Sequence, residues 1–183
     1  MRMLTIIVPA REWWDEEKEE FVQLSKDQRL TLEHSLISLS KWEQRWHKPF
    51  LSKEPKSMEE TIDYIKCMTL NTCPEIIYEC LTPKNFKQID EYINDSMTAT
   101  IFSEETSNSS SNSQFITNEL IYYWMLSLNI PHEYEKWHLN RLITLIRITS
   151  VKNQPPKKRS TQEIAMSNRA LNEARKREWG TKG

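Results

Sequence analysis

RLTLEHSLISLSKWEQRW, residues 29–46, changes its period in the middle, and that change decides the fold class. In the first part Leu30 and Leu32 alternate with polar neighbours, the pattern of a half-buried strand. From Ser35 onward Leu36, Leu39, Trp42, Trp46 and, just beyond, Phe50 recur at helical spacing and share one face, until Pro49 stops the helix. A strand-forming segment therefore gives way to a helix-forming one near residue 34.

Toward the N-terminus, LTIIVPA and EFVQL alternate in the same piecemeal way, separated by WWDEEKEE and SKDQ, whose charges suit turns. Two or three short antiparallel strands are expected there. Trp13 and Trp14 are adjacent and would point to opposite faces of a strand, so at least one is expected at the surface or an interface.

Toward the C-terminus the signals are helical. Ser57 stands three residues before Glu60 in a capping-box pattern, with Ile62, Ile65, Met68 and Leu70 as the apolar side. Thr82 followed by Pro83 is a further start signal, leading into Phe86, Ile89 and Ile93. SEETSNSSSNSQ, residues 103–114, offers nothing to bury and reads as a surface loop. Beyond it, ITNELIYYWMLSLNI is apolar around most of its circumference, and WHLNRLITLIRITSV places Leu139, Leu142, Ile143 and Ile146 on one face, widened by Leu145, Ile148 and Val151. These two helices are expected at the centre of the core. The whole predicts an α+β chain: a small N-terminal antiparallel β element (residues 1–34), a mainly α-helical body (35–151) and a basic C-terminal helical tail (152–183).

Charge separates the tail from the rest. From Lys152 onward nine Lys and Arg face three Glu, a net +6, so the first 151 residues carry −7 of the overall −1. Pro155 and Pro156 end the preceding helix, and Ser160 to Glu163 forms another capping box opening a helix through Ile164, Leu171 and Arg177. Its apolar stripe is thin, so it is expected to dock on something acidic: its own body, another subunit, a partner protein or, ranked below these, DNA.

Few kinds of chemistry fit. Both glycines, Gly180 and Gly183, lie in the last four residues, which leaves no phosphate-cradling loop and argues against a nucleotide-dependent enzyme. HEYEKWH superficially suggests a zinc helix, but His132 and His138 would lie about 120° apart around the axis, so no metal site is expected. Cys67, Cys73 and Cys80 match no zinc spacing and read as small buried thiols. No catalytic residues and no cofactor are assigned. The opening MRMLTIIVPA is too short for a signal peptide, and no stretch approaches the ~18 apolar residues of a membrane span, so a cytosolic protein is expected. Candidate partner-binding residues are Trp42, Trp46 and Trp124, with Lys157, Lys158, Arg159, Leu171 and Arg175 of the tail. For the tryptophans, helical spacing with Leu39 and Phe50 favours core or subunit-interface packing over base stacking.

Three stretches taken together, LSKWEQRWHKPFLSKEPKSMEETIDYIKCMTL (39–70), ELIYYWMLSLNIPHEYEKWHLNRLITLIRI (119–148) and NQPPKKRSTQEIAMSNRALNEARKREWGTKG (153–183), resemble the tail assembly chaperones of siphophages. The resemblance spans nearly the whole chain apart from the Ser-rich loop. It implies a non-enzymatic protein of the host cytoplasm, absent from the mature virion, that binds the tape measure protein and keeps this long helical client soluble until tail tube protein polymerises around it. It implies self-association, no cofactor and no catalytic residues. Two alternatives stay open: a structural virion or head-tail component, and a nucleic-acid-binding accessory that uses its basic tail.

Overall fold

In a computed structural model the chain is described over residues 3–16, 19–24, 26–100, 115–153 and 161–180. It has an α+β fold, with antiparallel strands at the N-terminus and, among the described residues, six α-helices after them. The Ser-rich loop, Ser160 with its expected capping box, and Lys157, Lys158 and Arg159 lie outside the described residues.

β1 (Leu4–Val8) pairs with β4 (Gln28–Leu32) in a register that sets Leu4 against Leu32 and Ile6 against Leu30. Alternation puts Ile6, Val8, Leu30 and Leu32 on the buried face, while Thr5, Ile7 and Arg29 face out. Between these strands β2 (Arg11–Asp15) pairs with β3 (Glu20–Leu24). The described residues thus hold four strands in two pairs, and WWDEEKEE is not a turn throughout: its first half is strand. Trp13 and Trp14 suit a pleated backbone, and the charges are tolerated because this hairpin has a solvated face. Trp14 is exposed there. Pro9, which has no N–H to donate, separates β1 from β2, and the Ala10 N–H donates to Asp27 Oδ1 at 2.8 Å across the break.

The helix starts follow the local signals. α1 (Leu36–Trp46) is capped by Ser35 and α2 (Met58–Met68) by Ser57, whose N–H donates to Glu60 Oε2 at 2.7 Å. α3 (Pro83–Asn94) begins on Thr82 with Pro83 in the first turn. α4 (Asn118–Ser127) has no side-chain cap from Thr117, and α5 covers Leu139–Asn153. Two endings depart from expectation. α1 stops before Pro49, with His47 in the left-handed region, and α2 stops at Met68, leaving Leu70 exposed as the chain turns to donate its N–H to the Thr31 carbonyl.

The core gathers Leu30 and Leu32 of β4, Leu36, Leu39 and Trp42 of α1, Ile65 and Met68 of α2, and Leu139, Leu142 and Ile146 of α5. α4 adds Ile121 and Met125 but exposes Tyr123 and Leu126, so it is a flank and not the centre. A helix apolar around most of its circumference had suggested the centre of the core; here its second apolar face has no cover among the described residues.

The chain divides into two compact units, Met1–Ser150 and Val151–Gly183. In the second, α6 (Thr161–Trp179) ends on Gly180 at φ +61°, the left-handed position that glycine adopts without strain. Of its side chains described, from Ala165 onward, all but Ser167 are exposed.

Candidate functional site

α2, α3 and the segment after α1 enclose an open cleft of about 580 Å³, in the size range of binding sites in proteins. Ile65 comes from α2, Phe86, Ile89 and Ile93 from α3, and Phe50 and Leu51 from the segment between α1 and α2. Phe86 and Ile93 remain half-buried, so apolar wall is accessible within the cleft.

Lys56 and Asp90 put opposite charges on the lining. The Lys56 ammonium lies 4.3 Å from the Phe50 ring centroid and 5.9 Å from that of Trp42, cation–π distances that hold it over the aromatic wall. Burial pushes its pKa down, against the opposing pull of Glu60. Among the described residues no carboxylate lies within ion-pairing distance of it, because Glu60 instead takes Lys48 at 2.6 Å. Asp90 is tied to its own helix through Asn94 Nδ2 at 3.0 Å.

Aromatic rings underlie the cleft. His34, which lines it, has Nδ1 2.6 Å from the Tyr64 hydroxyl and its ring edge-on to His138 at 4.9 Å. His138 in turn packs edge-on against Tyr92 at 5.0 Å. Burial, then the facing His138, pushes the pKa of His34 down to about 3, and burial lowers that of His138. His138 Nε2 is 2.9 Å from the Tyr92 carbonyl, which can only accept, so the proton of this neutral ring sits on Nε2. Its Nδ1 lone pair is buried with no partner among the described residues.

The sequence candidates do not gather at this cleft. Trp42 is 1 % exposed, with its indole N–H donating to the Glu60 carbonyl at 2.9 Å, so it is a core residue behind the cleft wall and not a partner-binding surface. Trp46 is half-buried, stacks on Trp42 at 6.1 Å and donates to Asp63 Oδ2 at 3.0 Å. Trp124 is half-buried against the core on α4. Leu171 and Arg175 are exposed on α6. Lys56, His34 and Tyr64 escaped sequence reading: Lys56 looks no different from Lys53 in its charged segment, and His34 and Tyr64 meet only through the fold.

Other chemistry finds little purchase. Burial raises the Cys67 thiol to about 11 and shifts Cys80 upward too, which suppresses thiolate formation. Among the described residues no group of three or more His, Cys, Asp or Glu could hold a metal ion, and no helix is long and apolar enough to cross a membrane. Comparison with protein-family models, curated proteins and solved structures finds no match for this chain.

Proposed function

We propose that this chain is a non-enzymatic, client-binding chaperone of siphophage tail assembly, and that its client is the tape measure protein. It works in the host cytoplasm, holds the client until tail tube protein assembles around it, and then departs, so that it is absent from the mature virion. The observation that carries this reading is the α2–α3 cleft: an apolar trough whose cation has no carboxylate within ion-pairing distance among the described residues. Such a trough suits side chains projecting from one face of a helix, with an acidic client residue meeting Lys56. The sequence resemblance supplies the identity of that helical client.

Co-expression with the tape measure protein, followed by pull-down and measurement of client solubility, tests it. Full-length chain should retain the client and raise its soluble fraction. Lys56→Glu should weaken retention by about tenfold, since it puts a like charge against the client's acidic residue on a side chain the fold does not use for an ion pair. An insoluble client with nothing retained, or a Lys56→Glu chain as effective as the parent, would count against the cleft as the client site.

A further inference from the structure

We propose that the β2–β3 hairpin is a docking surface for the basic C-terminal helix of a second copy of this chain, so that copies associate hairpin to tail. The inference goes beyond the client-binding reading and uses a different surface.

The hairpin carries an apolar feature that nothing else in its fold explains. Trp14 and Phe21 lie directly opposite each other in the β2–β3 register, with rings edge-to-face at 4.9 Å. They are 49 % and 69 % exposed. A cross-strand aromatic pair left this open offers rigid contact area to a partner. The surrounding charge selects the partner's sign: residues 11–20 hold six Asp and Glu against Arg11 and Lys18, a net −4.

α6 has the complementary face. Leu171, Arg175 and Trp179 stand at i, i+4 and i+8, so they line one side of the helix as apolar, cationic and apolar groups in turn. Leu171 is 52 % and Trp179 73 % exposed, and Arg175 is exposed between them. Arg169 and Arg177 are exposed as well, and the segment from Lys152 onward is +6. A guanidinium between two apolar groups matches an aromatic pair carried on an acidic segment: Arg175 meets the ring faces while Leu171 and Trp179 bury against the pair's flanks. From Leu171 to Trp179 the helix rises about 12 Å and a five-residue strand spans about 17 Å, so the helical face fits within the length of the hairpin. Most helical stability in proteins comes from packing an apolar face, and docking gives the exposed Leu171 and Trp179 that cover. The interface joins two different surfaces, so each copy keeps one of each available to the next.

The test uses full-length protein and sedimentation equilibrium across a range of concentrations. The parent chain should self-associate, and more weakly as salt rises from about 0.05 to 0.5 M, where screening shortens the reach of these charges. A hairpin variant, Trp14→Ser with Phe21→Ser, and a tail variant, Leu171→Ser with Arg175→Glu, should each raise the dissociation constant by about tenfold or more. Both change exposed side chains only, and circular dichroism checks that each stays folded. Mixing the two variants should restore a heterodimer, because the tail variant's intact hairpin meets the hairpin variant's intact tail. A parent that stays monomeric, association indifferent to salt or to both variants, or a mixture that fails to pair would each overturn the proposal. Client retention through the Lys56 cleft is measured separately, so either idea can fail without the other.

Discussion

Replacing Glu43 with Ala should destabilise the folded chain by about 3–6 kcal/mol, since it strands three buried donors at about 1–2 kcal/mol each. Glu43 is only 7 % exposed. Its Oε1 accepts the Phe50 N–H at 2.7 Å, while Oε2 accepts both the backbone N–H and the side-chain Nδ2–H of Asn118, each at 2.7 Å. α4 has no side-chain cap of its own, so a carboxylate 75 residues away in sequence fills that role and sits at the positive end of the helix dipole. The same side chain fixes the loop leaving α1, and hence Phe50, a wall of the cleft. Glu43→Gln keeps one acceptor oxygen and should lose about half as much. Urea unfolding of the parent and both variants measures the series. The loss in a Glu43→Ala, Asn118→Ala double variant should fall well short of the sum of the singles, as expected for groups that act through one contact. A Glu43→Ala chain within about 1 kcal/mol of the parent would show that water replaces these bonds and that the anchor is dispensable.

Glu43 also shows where sequence reading stops. In SKWEQRW it lies beside Trp42 and looks like any charged residue on the solvated side of a helix; its partners are at Phe50 and across the fold at Asn118. What was legible was local. The switch from alternation to helical spacing at residue 34, the Ser57–Glu60 box and the Thr82–Pro83 start all depend on residues within one turn, and all appear where their spacing puts them. β2 was misread because a run of charges is ambiguous between a turn and a strand with an exposed face, and only its pairing with β3 settles which. Tryptophan at helical spacing was read as core or interface, and Trp42 and Trp46 divide between burial and a half-buried border. The cleft was not legible at all, since its walls come from segments whose meeting is set by long-range packing. HEYEKWH illustrates both sides: spacing ruled out a shared helix face for His132 and His138, but nothing local tells that His138 meets His34.

That meeting has a consequence for pH. His34 is held neutral in the folded chain, its pKa near 3 against 6.5 ordinarily, and His138 is shifted the same way. A depressed histidine pKa means that the unfolded chain takes up the proton first, so stability falls as pH drops below about 6.5 and keeps falling until the folded-state value is reached. The slope grows toward about 1.4 kcal/mol per pH unit as the unfolded histidine becomes protonated, so His34 alone should remove about 2 kcal/mol between pH 6.5 and 4.5. The geometry agrees: protonation would add charge beside a second imidazole at 4.9 Å, on a ring already committed to the Tyr64 hydroxyl. Carboxylates elsewhere also titrate on acidification, so the comparison that isolates the effect is His34→Phe, which keeps a ring in place and removes the titrating group. Its stability should be lower at neutral pH, where the Tyr64 contact is lost, yet vary less with pH, by about one proton's worth of slope between pH 6 and 4. Parallel pH profiles for parent and variant would mean that the buried ring is not what makes the fold acid-sensitive. Because His34 lines the cleft and Tyr64 forms part of the same wall, the loss of stability should be accompanied by loss of client retention over the same pH interval in the parent, and over a lower interval in the variant.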